Sequence, residues 1–197
     1  ARGFGFKDKS QKARNGTYPE PLSCDLVACD GARKSTFLVD LRDGDYGVWV
    51  LSGVNSAGYY ETRCPYQIRV SGGDALAVEP TAANYHQQYM FRAYYDFLSH
   101  DDGLPVDVYD RYFRPLFREK VLAAKVRGGQ LAVEIVPGKA AVPSSAGFLN
   151  ALVIWPAAKA KEAQAWLEWV ARKRARLGQI KEIVEPDPAP EPAPTRA

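Results

Sequence analysis

Apolar and polar residues alternate with a period of two on both sides of a polar corner early in the chain. In residues 37–53, FLVDLRDGDYGVWVLSG, every second side chain falls on one face before the corner Asp43-Gly44-Asp45 and again after it. Such alternation is typical of β-strands, and Asp and Gly favour the tight reversal that joins two of them. The segment therefore predicts a β-hairpin.

Short segments with the same character follow, separated by turn signals, and another strand is expected near Cys24. The run VLAAKVRGGQLAVEIV predicts a second hairpin, in which Gly128-Gly129 supplies the positive φ angles of a two-residue turn. About nine strands in total predict an all-β protein, a sandwich or a barrel. The further strands are predicted at residues 66–70, 75–78, 90–97, 121–126, 131–136 and 148–155.

Two segments have helical periodicity instead. Residues 106–116 carry apolar side chains four apart and predict a short amphipathic helix inside an insertion at about residues 100–118. A second helix is predicted at residues 157–184, after Pro156, to lie on another surface of the protein. Its stripe consists of Ala163, Trp166, Val170, Lys173, Leu177, Ile180 and Val184.

The pattern divides the chain into three parts. Residues 1–156 are the predicted β-sandwich domain and residues 157–184 the amphipathic helix. Residues 185–197, EPDPAPEPAPTRA, have the composition of an extended polyproline linker or tail. We therefore expect either that the natural protein continues beyond this segment or that the segment ends at a cleavage point.

Charge and hydropathy narrow the classes of partner. The 197 residues carry a net charge of +3. The predicted helix 157–184 has a charge of +4, so the rest of the chain sums to −1 and is close to neutral. A neutral body argues against binding to nucleic acid. No apolar run is long enough for a transmembrane helix, so we expect no membrane span.

The chain has three cysteines, Cys24, Cys29 and Cys64. In an extended strand, Cys24 and Cys29 would lie about 16 Å apart, too far for a disulfide. A disulfide would require a tight loop there, and the sequence contains no CxxC pair that would suggest zinc. Buried thiols are the favoured interpretation, with one disulfide as the alternative.

Several of these segments together resemble the galactose-binding-like β-sandwich, a jelly-roll group that includes malectin-like domains and many carbohydrate-binding modules. The resemblance covers about residues 3–156. It implies an all-β jelly roll that serves an extracytoplasmic protein, with a structural calcium ion in many related domains. The segments that carry it are GFGF at 3–6, PLSCDLV at 21–27, VDL at 39–41, YGV at 46–48, GGQL at 128–131 and LNALVI at 149–154.

The residues point to ligand binding and not to catalysis. Ser99, His100 and Asp101 are adjacent and cannot converge as a catalytic triad, and no GxSxG or HExxH motif is present. The acidic cluster around His100, which includes Asp102 and Asp107, fits either a helix cap or a calcium site. We therefore expect no enzymatic activity in this chain and no cofactor beyond a structural calcium ion.

Two polar and aromatic segments form the predicted ligand site. Aromatic faces stack on the C–H faces of sugars, and amide and charged groups beside them bond the hydroxyls. The same tyrosines also suit a role as cover for the edge of the core. The predicted ligand residues are Asn55, Tyr59, Tyr60, Glu61 and Arg63 in the first segment and Asn84, Tyr85, His86, Gln87 and Gln88 in the second.

These observations predict a non-catalytic carbohydrate-binding or accessory module of a larger extracytoplasmic protein, either secreted or located in the periplasm or at the cell surface, with a polysaccharide or glycan as ligand. The alternative is a structural module whose C-terminal helix docks a neighbouring domain or subunit. Trp49 bears on this alternative, because it faces away from Val48 and Val50 and needs a cover on the outer face of its sheet. Trp166 and Trp169 of the predicted helix are one available cover, and a partner protein is another.

Overall fold

The computed structural model of the chain describes residues 3–7, 11–15, 22, 25–29, 33–53, 65–79, 117–138 and 147–177. These residues form antiparallel strands and one long helix near the C-terminus, which confirms the predicted all-β sandwich. The strands are β1 (Phe4–Phe6), β2 (Gln11–Asn15), β3 (Asp25–Cys29), β4 (Ser35–Asp40), β5 (Gly44–Gly53), β6 (Tyr66–Val70), β7 (Ala75–Val78), β8 (Phe117–Val126), β9 (Gln130–Pro137), β10 (Gly147–Leu149) and β11 (Ala151–Pro156). A 3₁₀ turn (Ala157–Lys159) leads into helix α1 (Ala160–Leu177).

The strands form two layers around one core. A five-stranded sheet has the order β1-β4-β9-β6-β7, and a three-stranded sheet has the order β11-β5-β8. Strand β10 pairs with β3 in a third sheet, β10-β3-β2, and only Asn150 separates β10 from β11. The core between the layers joins Val48, Val50 and Leu122 from one side to Ile68 and Ile135 from the other, all fully buried.

The predicted hairpin at residues 37–53 is wrong in its pairing, although both of its strands exist. β4 pairs with β1 and β9 in the five-stranded sheet, whereas β5 pairs with β11 and β8 in the opposite layer. The Asp43 corner therefore carries the chain from one sheet to the other. Period-two alternation indicates a strand and its buried face, but it does not name the neighbouring strand.

The second predicted hairpin is also a corner between the sheets. Gly128 and Gly129 form the expected turn with φ angles of +73° and +79°. Arg127 and Gln130 form one isolated bridge beside it. Beyond that bridge, β8 joins β5 in one layer and β9 joins β4 and β6 in the other.

The two corners lie against each other at one end of the sandwich, which we call the corner end. Asp43 Oδ1 accepts a hydrogen bond from the backbone N–H of Gly129 at 2.7 Å. The carbonyl of Gly129 in turn accepts a hydrogen bond from the N–H of Leu41 at 3.0 Å. Backbone hydrogen bonds from Gly129 and Gly128 lower the pKa of the Asp43 carboxyl below its ordinary value.

The turn between β6 and β7 ties the two layers together along one side. Its Asp74 carboxylate accepts hydrogen bonds from Lys120 Nζ at 3.0 Å and from the N–H of Ala123 at 3.2 Å, both on β8. The carbonyl of Ser71 accepts a third from the N–H of Lys125 at 2.8 Å. The last two bonds give partners to backbone N–H groups at the edge of β8, which would otherwise be unpaired there. The Lys120 hydrogen bond is the main cause of the lowered pKa of Asp74.

Helix α1 covers the outer face of β5. Leu167 packs against the cluster of Trp49, Leu51 and Phe117, and Val170 of the same helix is also buried. Trp49 thus lies on the outer face, as predicted, and the C-terminal helix contributes to its cover. Because the outer face is covered as well as the inner one, β5 is buried on both sides from Val48 onward.

The predicted stripe of the helix is only partly right. Ala163 and Val170 face the sheet, but Trp166 and Lys173 are exposed, and Leu167 and Arg174 take their place. Both stripes include Ala163. The predicted stripe continues three positions later at Trp166, whereas the observed stripe continues four positions later at Leu167. The strand predicted at 90–97, the helix at 106–116, the end of the long helix and the tail lie outside the described residues.

The structure tests two further predictions in part, those for the insertion and for the cysteines. The insertion expected at about 100–118 overlaps a strand, since Phe117 and Arg118 belong to β8. Cys29 lies in the core with 1% of its surface exposed. Cys24 and Cys64 lie outside the described residues, so the state of the three cysteines stays a prediction.

Candidate functional site

The two segments predicted to bind a ligand attach to the same end of the sandwich. Residues 54–64 follow the end of β5 at Gly53 and precede β6, and residues 80–116 follow β7 and precede β8. In the sheets, Gly53 pairs with Phe117 and Tyr66 pairs with Val78. The Ser52 hydroxyl beside Gly53 lies 2.7 Å from that of Tyr66, so the two pairs are neighbours. All four attachment points are therefore at one end, which we call the loop end, opposite the corner end.

The predicted ligand residues themselves lie outside the described part of the chain. This applies to Asn55, Tyr59, Tyr60, Glu61, Arg63, Asn84, Tyr85, His86, Gln87 and Gln88, and also to His100 and its acidic neighbours. Among the described residues, no group of three His, Cys, Asp or Glu side chains is placed to hold a metal ion. The structure describes the strands that support the predicted site.

A buried hydroxyl pair makes the base of the loop end rigid. Ser52 is fully buried, and its Oγ lies 2.7 Å from the hydroxyl of Tyr66. The same Oγ donates a hydrogen bond to the carbonyl of Phe148 at 2.6 Å. The bond between the two hydroxyls connects β5 to β6 in the opposite layer. The bond from Ser52 to Phe148 connects β5 to β10. Hydrogen bonds in a water-excluded place of this kind hold the strand ends in fixed positions.

Asn150 organises the strand that changes partners at the loop end. Its Oδ1 accepts a hydrogen bond from the N–H of Gly53 at 2.9 Å, and its Nδ2 donates to the carbonyl of Asp25 at 3.3 Å. Its own N–H donates to the carbonyl of Leu51 at 3.0 Å. The side chain thus supplies the hydrogen bonds at the point where the strand leaves β3 and joins β5. The sequence placed Asn150 inside one continuous strand and missed this role.

An apolar groove opens between the layers on the side of β1 and β11, and we call it the edge groove. β3 pairs with β10 but not with β11, so among the described strands the edge of β11 away from β5 has no pairing partner. The groove has a volume of about 380 Å³. Its described lining consists of Phe4, Phe6, Val27, Phe37, Val39, Leu149, Asn150, Ala151, Leu152 and Ile154. This groove was not predicted from the sequence.

A second groove runs between helix α1 and β8. Its volume is about 320 Å³, and it has Trp49 and Val121 on the strands and Leu167 and Val170 on the helix among its lining. Arg174 Nη1 donates a hydrogen bond to Glu119 Oε2 at 2.9 Å and ties the helix to the strand. This groove is therefore mixed in character, with charged groups beside the apolar ones.

The exposed side of α1 carries two tryptophans. Trp166 is 42% exposed and Trp169 is 49% exposed, and Lys173 lies 5.5 Å from the centre of the Trp169 ring. The covering of Trp49 thus uses Leu167 and Val170 and leaves both tryptophans open to solvent. In the part of the chain that the structure describes, no helix combines the length and apolarity that a membrane crossing requires.

Comparison with known proteins adds solved structures of similar shape. The chain is similar to the plant receptor-like kinase FER (14% identity, TM-score 0.47) and to the ANX1 ectodomain from Arabidopsis thaliana (10% identity, TM-score 0.48). It covers 34% of each of those chains with 77% of its own length, so it spans about a third of them. These neighbours are malectin-like extracellular domains, the group that the sequence resemblance names.

A bacterial enzyme is also similar in shape. The match is to a calcium-binding mutant of beta-glucuronidase 2 from Bacteroides uniformis, with 13% identity and a TM-score of 0.42. It covers 78% of this chain and 14% of the enzyme chain. No family model matches the sequence, and the search of curated proteins finds no match.

Proposed function

We propose that this chain is a non-catalytic carbohydrate-binding or accessory module of a larger extracytoplasmic protein, and that a glycan binds at the loop end. The observation that carries the proposal is the register of the strands. Gly53 pairs with Phe117, and Tyr66 pairs with Val78, which brings the attachment points of both polar and aromatic segments to one end. The nearest predicted ligand residues of the two segments, Arg63 and Asn84, are 21 positions apart in sequence, and the proposal is that both segments contact one ligand.

The strand ends beneath the proposed site are held by hydrogen bonds, which favours ligand binding without a large rearrangement of these strands. The Ser52 and Tyr66 hydroxyls and the Asn150 amide fix the strand ends by hydrogen bonds within the sandwich. A ligand that binds to groups held on such a base loses less free energy to ordering the protein. The extracytoplasmic setting is part of the proposal and is motivated by the sequence resemblance.

Calorimetry and a glycan array with plant, algal and bacterial polysaccharides test the proposal. We expect at least one polysaccharide to bind, and we expect Tyr59→Ala and Tyr85→Ala each to weaken its binding about tenfold, because each removes a stacking surface. Trp169→Ala is the matched control: it removes an exposed aromatic ring from α1 and is expected to leave glycan affinity unchanged. Absence of binding to every polysaccharide, or equal losses in all three variants, would contradict the proposal.

A second candidate function is docking of a neighbouring domain or subunit through α1. The exposed rings of Trp166 and Trp169 favour it, because large aromatic side chains are enriched at protein interfaces. Light scattering on the full chain, with and without the double change Trp166→Ala and Trp169→Ala, tests for self-association. A mass above that of one chain that falls to one chain in the double variant would support a subunit contact.

A further inference from the structure

We propose that the edge groove binds the hydrocarbon chain of an uncharged small molecule. This site is separate from the loop end and does not depend on glycan binding there. Its walls belong to β1 and β4 in one layer and to β10 and β11 in the other.

The apolar lining of the groove indicates which chemical class of ligand it can bind. None of the ten described residues that line it carries a charge, and nine of them are aliphatic or aromatic. The polar one, Asn150, already bonds Gly53 and Asp25 through its amide. A ligand with many hydroxyls would lose its bonds to water there without replacement, whereas a hydrocarbon would not. The lining is therefore complementary to an alkyl chain.

The size of the groove sets the length of that chain. At roughly 30 Å³ for each small group, as for a water molecule in the liquid, its volume of about 380 Å³ holds on the order of a dozen non-hydrogen atoms. Its lining follows residues 149–154, which span about 17 Å along the strand direction. These dimensions suit an extended chain of about eight to twelve carbon atoms.

Phenylalanines form the wall on the β1 side. The rings of Phe6 and Phe37 pack edge to face at 5.0 Å, and Phe4 lies 6.1 Å from Phe37. Phe6 and Phe37 also pack against the core, which holds them in place. Phe4 is 61% exposed and presents an apolar surface at the entrance. A bound chain would cover this ring and gain the free energy of its burial.

The shortness of β1 argues against a second copy of the protein as the occupant. β1 has three residues, so two copies joined at this edge would share a strand pair only about 10 Å long. Stable protein interfaces bury more than about 1,000 Å² in total. A small molecule inside the groove does not need that area.

Calorimetry with n-decyl β-maltoside below its micelle concentration, compared with maltose, tests the proposal. We expect the alkyl maltoside to bind and maltose to bind at least tenfold more weakly, because the alkyl chain supplies the contact. Phe4→Ser is expected to weaken binding of the alkyl maltoside at least fivefold. Val121→Ser, the matched control, replaces another exposed apolar side chain outside the groove and should leave binding unchanged.

A second variant fills the groove instead of opening it. Val39→Phe adds bulk to the lining and is expected to abolish binding of the alkyl maltoside, with circular dichroism to verify that the sandwich is intact. Equal affinity for maltose and the alkyl maltoside, or unchanged binding in both variants, would overturn the proposal. So would a dimer that Phe4→Ser dissociates, because a second copy would then occupy the edge. Polysaccharide binding at the loop end should survive both variants, so the two proposals fail separately.

Discussion

The carboxylate of Asp43 accepts a hydrogen bond from the backbone N–H of Gly129 at 2.7 Å, although the two residues are 86 positions apart. Asp43 belongs to the corner between β4 and β5, and Gly129 to the corner between β8 and β9. Both corners cross from one sheet to the other, so this bond joins the two connections of the corner end. The backbone N–H groups of Gly129 and Gly128 stabilise the charged carboxylate and lower its pKa.

The first prediction concerns acid stability. Because the pKa of Asp43 is lower in the folded protein, its contribution to stability is present above the ordinary Asp pKa and is lost as pH falls through the folded value. Asp43→Asn is therefore expected to lower the urea midpoint at pH 7, and the difference from the wild type should shrink steadily as the pH falls below the ordinary Asp pKa. Urea unfolding at several pH values measures it.

Asp45→Asn is the control for this prediction. Asp45 is an exposed residue next to the same corner and lies 3.8 Å from Lys125 in a loose ion pair. We expect it to change the urea midpoint little at any pH. A wild type and Asp43→Asn that differ equally at pH 7 and at low pH would show that the carboxylate charge does not matter.

The second prediction concerns Gly47, over which the indole of Trp155 lies. A Cβ at position 47 would meet the Trp155 ring at about 2.4 Å, closer than real side-chain contacts allow. Gly47→Ala should therefore destabilise the protein by about 1–3 kcal/mol, as overpacking does. Gly5→Ala is the matched control, since nothing lies within 4 Å of a Cβ there. Similar unfolding midpoints for the two variants would refute the steric account.

The third prediction concerns the hydroxyl pair below the loop end. Ser52→Ala removes the group that bonds Tyr66 and the carbonyl of Phe148. The expected cost is about 1–3 kcal/mol, because buried polar groups lose a partner. Tyr66→Phe and the double variant complete a mutant cycle. The double variant should cost less than the sum of the single ones, and strict additivity would mean that the two hydroxyls do not interact.

The fourth prediction tests which side of α1 faces the sheet. Val170 is 6% exposed, so Val170→Ala should destabilise the protein by about 1–2 kcal/mol through loss of buried apolar surface. Trp166 is 42% exposed, and Trp166→Ala should cost less than about 1 kcal/mol despite the larger change. Thermal unfolding of both variants shows which substitution lowers the stability more. A larger loss for Trp166→Ala would restore the stripe predicted from the sequence.

Local patterns predicted much of the secondary structure. Strands β6, β7, β9 and β11 lie close to their predicted positions, and the two glycines at 128–129 adopt the expected positive φ angles. Turn chemistry and period-two alternation depend on neighbouring residues, so they can be read without the rest of the chain. The two hairpins failed because a tight turn between two strands is compatible with pairing and also with a crossing between sheets.

The buried face of helix α1 likewise could not be predicted in full from local patterns. The presence and the amphipathic character of the helix follow from the spacing of apolar residues, but Trp166 and Leu167 are both apolar and lie on adjacent sides. In the structure, Leu167 packs against the cluster of Trp49 and Leu51, whereas Trp166 is exposed. The predicted ligand residues are a different case, since they lie outside the described residues and stay a prediction.

The sequence by itself determined that this is an all-β protein with an amphipathic C-terminal helix, because the period of apolar residues depends on local backbone geometry. Only the tertiary structure decided which strands are neighbours, that the 37–53 segment crosses between layers, and that the predicted ligand segments attach to one end. It also decided that β3 pairs with β10 and not with β11, which opens the edge groove. Strand partnership depends on packing between residues far apart in sequence, and no local pattern contains that information.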